Sequence, residues 1–200
     1  MLLRNIWRGF LPATAAGFCL FSSATYAANI LVGSGPDTSY FVLESPNIGS
    51  RTYEISYTYD ASEMQDGFSM LDSLLGADAM LTADFANFGT AMDPNFFVNS
   101  FTFNAVTEVS VSSSPFVPYW AHWVSGGEAG FPTAAPVATE TWSAGSGISS
   151  PYRLIVPGSW DALVYNDGVT APSVAPIPEP SALLLVTAGS LVLLRRRRSN

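Results

Sequence analysis

The chain has no lysine, one histidine and one cysteine, and only 12% of its 200 residues are charged. Each shortage excludes something. A single thiol, Cys19, forms no intrachain disulfide, and one thiol with one imidazole, His122, leaves zinc, haem and iron–sulfur sites without a ligand set. No cofactor is expected. All the basic residues are arginine, and they crowd the ends: Arg4 and Arg8 in front, Arg195 to Arg198 behind, with only Arg51 and Arg153 between. Fifteen of the sixteen acids lie within 28–177, so that stretch sets two arginines against fifteen carboxylates, a formal charge of −13. Nucleic acid is excluded as a partner, because its binding depends on neutralising phosphates with Lys and Arg. What is abundant is apolar: hydrophobic residues make up 48% and aromatics 13%, too many for a disordered chain.

The N-terminus has the three parts of a secretory signal peptide. Arg4 and Arg8 form a positive region, Gly9 to Phe21 a short apolar run interrupted by Pro12, and Ser22 to Ala27 a small-residue stretch. Cleavage after Ala27 puts Thr25 and Ala27 at the −3 and −1 places, so residues 1–27 read as the signal and 28–170 as a secreted body. Cys19 leaves with the signal.

The C-terminus is built in order as a proline-rich linker, 171–180, an uncharged run, 181–194, and an arginine tail, 195–200. The run of 14 residues is about 21 Å long as a helix, against a hydrocarbon core of roughly 30 Å. It spans only with bilayer thinning, and Arg195, Arg196, Arg197 and Arg198 stay on the cytoplasmic side as a membrane stop. Such a short span suits a pause in the inner membrane better than a permanent anchor. Pro178-Glu179-Pro180-Ser181, the apolar helix and the arginine cluster together resemble the PEP-CTERM protein-sorting domain. That resemblance covers 177–198. It implies an exopolysaccharide-producing Gram-negative bacterium and an exosortase, a membrane-embedded cysteine protease and transpeptidase, as processing partner. Cleavage would fall near the Pro-Glu-Pro motif, followed by release to the cell surface or outside. A plain tail anchor with a proline stalk is the rival reading.

The body reads as α+β, mostly β: an antiparallel sheet with one main helix packed on it. Residues 51–60 alternate, with Tyr53, Ile55, Tyr57 and Tyr59 on one face. In 96–111, Phe97, Phe101, Phe103, Val109 and Val111 share one parity. Residues 119–124, "YWAHWV", place aromatics on both faces. Residues 152–156 and 159–166, joined by Pro157-Gly158, read as a closing hairpin or adjacent strands. Only 66–81 departs from this pattern: Phe68, Leu71, Leu74, Leu75 and Ala79 stand near helical spacing behind Asp66, a candidate N-cap. The succession from the Tyr-rich strand through "DGFSMLDSLL", "FVNSFTF", "YWAHWVSGG" and "PGSWDALVY" is similar to the transcobalamin C-terminal-like domain, a β-grasp-type module, over 51–166. This resemblance implies a binding or adhesive module, with no ligand-contacting residue to carry over.

Chemistry is sparse. His122 has no Gly-x-Ser-x-Gly elbow to serve and reads as a half-exposed strand residue. No glycine-rich phosphate loop follows a strand. Residues 60–67 and 165–168 hold oxygen ligands without EF-hand spacing, so a cap and a turn explain them more simply than calcium. Trp120, Trp123 and Trp160 are candidates for stacking on sugar rings, although aromatics in a small β domain more often pack inside. The expected function is a structural or adhesive component of the cell surface or exopolysaccharide matrix, and not an enzyme. The alternatives are a small-ligand or glycan binding module and a secreted glycan hydrolase.

Overall fold

The computed structural model describes residues 30–62, 65–90 and 94–176. Ala27, the 178–181 motif, the 181–194 run and Arg195 to Arg198 lie outside the described residues. The described body is mostly β with one helix, as the composition of its runs suggests.

The main sheet has six strands: β1 (Ile30–Gly33), β2 (Asp37–Ser45), β3 (Gly49–Tyr57), β7 (Tyr119–Ser125), β10 (Ser143–Ala144) and β12 (Trp160–Asn166). Their order is β1-β3-β2-β12-β7-β10. The expected antiparallel sheet is corrected to a mixed one, because β1 runs parallel to β3 and β12 runs parallel to β2. β12 slots between β2 and β7, two strands formed much earlier in the chain. Lying in the centre, it is covered on both faces. That is why "WDALV" is a continuous buried run and not an alternating one.

A second, antiparallel sheet comprises β4 (Leu81–Asn87), β5 (Phe96–Phe103) and β6 (Val106–Val109). Here the expected parity of 96–111 fails. The pairing slips between Asp84 and Phe85, which sit opposite Ser100 and Val98, so Asn99 is an extra residue on β5. This bulge reverses the facing of everything before it. Val98 and Phe101 are both buried, while Phe97 is exposed; Glu108 is buried on β6 and Val109 exposed. Glu108 is held there by Asn47, whose Nδ2 donates to Oε1 at 2.7 Å, tying the β2–β3 turn to this sheet. A third small sheet contains β8 (Glu128–Ala129), β9 (Ala135–Pro136) and β11 (Arg153–Leu154).

Neither the expected hairpin of β11 with β12 nor their side-by-side pairing forms. Ser159 N–H does close a turn on Val156 O at 2.9 Å, with Gly158 at φ 84. With Pro157 at the second position this is a type II turn, whose twist splays flanking strands instead of pairing them. β11 therefore pairs with β8, and β12 enters the main sheet.

The helix α1 (Gly67–Ala77) is capped by Asp66, whose Oδ1 accepts from Ser69 N–H at 2.8 Å while Asp66 N–H donates back to Ser69 Oγ. The other carboxylate oxygen accepts from Ser150 N–H at 2.8 Å, which fixes where the helix starts relative to the sheet. Met70, Leu71 and Leu74 are buried. Ala79, expected on the apolar face, is exposed because the helix has already ended. Asp78 stops it as C-cap, accepting from Tyr53 Oη–H at 2.9 Å and from Met80 N–H at 3.0 Å. Burial first, and then the Asp78 hydrogen bond and charge, push the Tyr53 phenol well above its usual range.

The six-stranded sheet thus has two different faces. On one, α1 and the second sheet enclose the larger core, which includes Phe41, Tyr53, Leu74, Phe101, Trp120 and Leu163. The other carries Val42, Ala121, Trp123, Trp160, Ala162 and Val164 under Trp142, Ala171 and Val174. The body therefore continues beyond 170. Residues 171–176, the described part of the expected 171–180 linker, pack onto it.

Candidate functional site

An ion pair is buried in the main sheet on the helix side. Asp161 is the second residue of β12, and Arg153 reaches it from β11; both side chains are fully buried. Arg153 Nε donates to both carboxylate oxygens at 3.0 Å, and Nη2 donates to Oδ2 at 2.7 Å. The other guanidinium hydrogens go to carbonyls. Nη1 donates to Gly126 O at 2.6 Å and to Glu128 O at 3.3 Å, and Nη2 to Trp160 O at 3.2 Å. A buried charge is tolerable only when paired and hydrogen-bonded in this way. Burial is the largest influence on Asp161 and raises its pKa. The Arg153 charge, with the pairing from His122, outweighs it and holds the carboxyl below its ordinary value.

His122, on β7, completes the cluster. Its Nε2 lies 2.7 Å from Asp161 Oδ1. An ionised carboxylate only accepts, so Nε2 carries the proton. The expected half-exposed histidine lies deeper than that: its side chain is 9% exposed and committed to a hydrogen bond with Asp161. The other ring nitrogen, Nδ1, is buried with no hydrogen-bond partner. Gly145 lies flat against it, and a Cβ at that position would fall 2.2 Å from Nδ1. Gly67 makes a similar approach at the start of α1, where a Cβ would come 2.7 Å from Asp161 Oδ1. Two glycines therefore let backbone close over the cluster from both sides. A histidine–aspartate pair activates a nucleophile when a hydroxyl or thiol meets the far nitrogen. Here no hydroxyl bonds to Nδ1, and Arg153 already balances the carboxylate. The cluster joins β7, β11, β12 and the Gly126 turn into one unit.

Beyond Arg153 an open pocket of about 250 Å³ lies between Gly126, Gly127, Glu140, Pro157, Trp160 and Pro176. The Arg153 bonds to Gly126 O and Trp160 O fix two of its walls. Among the described lining residues Glu140 is the only ionisable side chain, and it stands in the left-handed region at φ 66. A pocket with one carboxylate and otherwise apolar or hydroxyl walls favours a small neutral or cationic group over an anion.

The three candidate tryptophans are core residues. Exposure is 3% for Trp120, 9% for Trp123 and 4% for Trp160. Trp120 meets Phe101 edge to face at 4.7 Å, and Trp160 stacks on Tyr40 at 4.2 Å. Their ring faces are covered by protein, so a sugar cannot stack on them; only Trp160 also contributes to the pocket wall. The acidic stretches have local roles: Asp60 accepts from Ser62, Asp66 caps α1, and Asn166 and Asp167 accept from Gly168 and Val169 in a turn. Among the described residues no group of three or more His, Cys, Asp or Glu is placed to hold a metal, and no helix is long and apolar enough to cross a membrane.

Sequence reasoning missed Arg153 and Asp161. The signal was present: each is a lone charge inside an apolar strand, "YRLIV" and "SWDALV", and a charge so placed needs an opposite one. Arg51 also stays within the fold, its guanidinium 3.4 Å from the Phe103 ring centroid. No protein-family model matches the chain, and neither the curated proteins nor the solved structures contain a match.

Proposed function

We propose that the protein is exported, paused in the inner membrane by its C-terminal helix and arginines, processed by an exosortase near Pro178-Glu179-Pro180-Ser181, and delivered to the cell surface or extracellular matrix. There it acts as a structural or adhesive component. The observation that carries this reading is a sequence succession at the C-terminus, behind an N-terminus that reads as a signal peptide: prolines, Pro-Glu-Pro, an apolar run and four arginines. The body supports it. Both of its arginines are engaged within the fold while its acids far outnumber them, which suits a soluble extracellular surface and opposes binding to nucleic acid. Packed chain reaches Pro176, two residues before the motif, so processing there leaves the body whole.

Replacing Glu179 or Pro180 with alanine in the full chain should block removal of the C-terminus while export continues. Normal processing of both variants overturns the sorting claim. The pocket beside Trp160 favours a second reading, a small-ligand or glycan binding module. A ligand of that kind should raise the unfolding midpoint in proportion to log concentration once above its Kd. A Glu140→Gln variant should lose that shift.

A further inference from the structure

The last described stretch of chain is a strap held on the sheet. β12 ends at Asn166, and the chain reverses through two side-chain turns: Gly168 N–H donates to Asn166 Oδ1 at 2.7 Å, and Asn166 Nδ2 donates to Thr170 O at 2.6 Å. Residues 171–176 then run back towards the start of β12, where Pro176 and Trp160 line the same pocket. Glu44 Oε2 accepts from Ser173 N–H at 2.9 Å and from Ser173 Oγ–H at 2.8 Å. The Trp142 indole N–H donates to Val174 O at 2.7 Å. Ala171 and Val174 pack on the sheet, and Pro172 and Pro176 are buried.

We propose that this strap is a clamp on processing: the sorting motif becomes available to a membrane-embedded protease only when residues 171–176 lift from the sheet. The inference rests on the sorting reading above. Chain length is the reason. Ile177 alone separates Pro176 from Pro178. An extended chain covers at most about 3.6 Å per residue, so a docked strap keeps Pro178 within about 7 Å of Pro176 and Ser181 within about 18 Å. A folded body so close to the bilayer leaves no room for a protease to hold extended chain on both sides of the scissile bond. Lifting the strap adds six residues, about 20 Å of reach. Its anchors are few: hydrogen bonds to one carboxylate and one indole, and the packing of Ala171, Pro172, Val174 and Pro176. Such a segment opens locally without unfolding the core. The rate of processing then follows the open fraction.

The test is pulse–chase removal of the C-terminus from the full chain in a host carrying an exosortase. Four chains are compared: the unaltered one, the double variant Glu44→Ala/Trp142→Phe, a chain with ten Gly/Ser residues inserted between Pro176 and Ile177, and a chain with both changes. The insertion leaves every strap contact in place. The double variant and the insertion should each be processed several-fold faster, and the chain with both changes should show no further gain. An unaltered rate in both overturns the clamp while leaving the sorting reading intact. No processing of any chain overturns both.

Discussion

The two faces of the central sheet are closed by different means. On the helix side, α1 and the β4–β6 sheet are regular elements that satisfy their own backbone hydrogen bonds, and they trap both a large core and the Arg153–Asp161–His122 cluster. On the other side a few residues around Trp142 and the strap do the covering, held mainly by side chains. The first arrangement can open only by unfolding. The second can open alone, which is what the proposed removal of the C-terminus would use.

The comparison is broken most severely inside the cluster. Arg153→Met leaves Asp161 buried with His122 as its one remaining partner and should cost about 3–5 kcal/mol by urea unfolding, while adding Asp161→Leu should recover most of that loss. The same pair sets an acid dependence. The Asp161 carboxyl is held below its unfolded value of 3.8, so its contribution is present above that pH and is lost as pH falls through the lower folded value. Asp161→Asn should flatten the fall in stability below about pH 4. Next, Leu74→Ala on the helix side should cost about 3 kcal/mol through lost burial and a cavity. On the strap side, Trp142→Phe removes one hydrogen bond and should cost only about 1 kcal/mol. It should also speed exchange of the Ser173 amide without changing that of Leu163; equal protection of both amides would erase the distinction between the faces. The smallest effect is expected away from both faces. Asn104 and Ala105 join β5 to β6 at φ 48 and 66, a turn that suits glycine, so Ala105→Gly should raise stability by about 0.5–1 kcal/mol.

What was legible in the sequence followed from local pattern. Asp66 ahead of "GFSMLDSLL" marked the helix, and the alternation of 51–60 marked a half-buried strand, although the strand ends at Tyr57 and leaves Tyr59 beyond it. "YWAHWV" is a strand between two cores, Trp120 in one and Trp123 in the other. The rest depended on relations that no local window carries. The Asn99 bulge moved Phe97 outward because an extra residue resets a period of two. β12 runs parallel to β2 across more than a hundred residues, and nothing near Trp160 announces it. The cluster was hidden because its three members come from separate strands. Residues 171–176 look like linker by their prolines, yet Trp142 and Glu44, far earlier in the chain, hold them down.

Intact mass of the protein recovered from the cell surface and the medium tests the account most directly. The account predicts a chain that begins after Ala27, keeps the body through Pro176 and lacks the residues beyond the Pro-Glu-Pro region. A mass that still includes Arg195 to Arg198 would contradict it and make this a protein of the inner membrane.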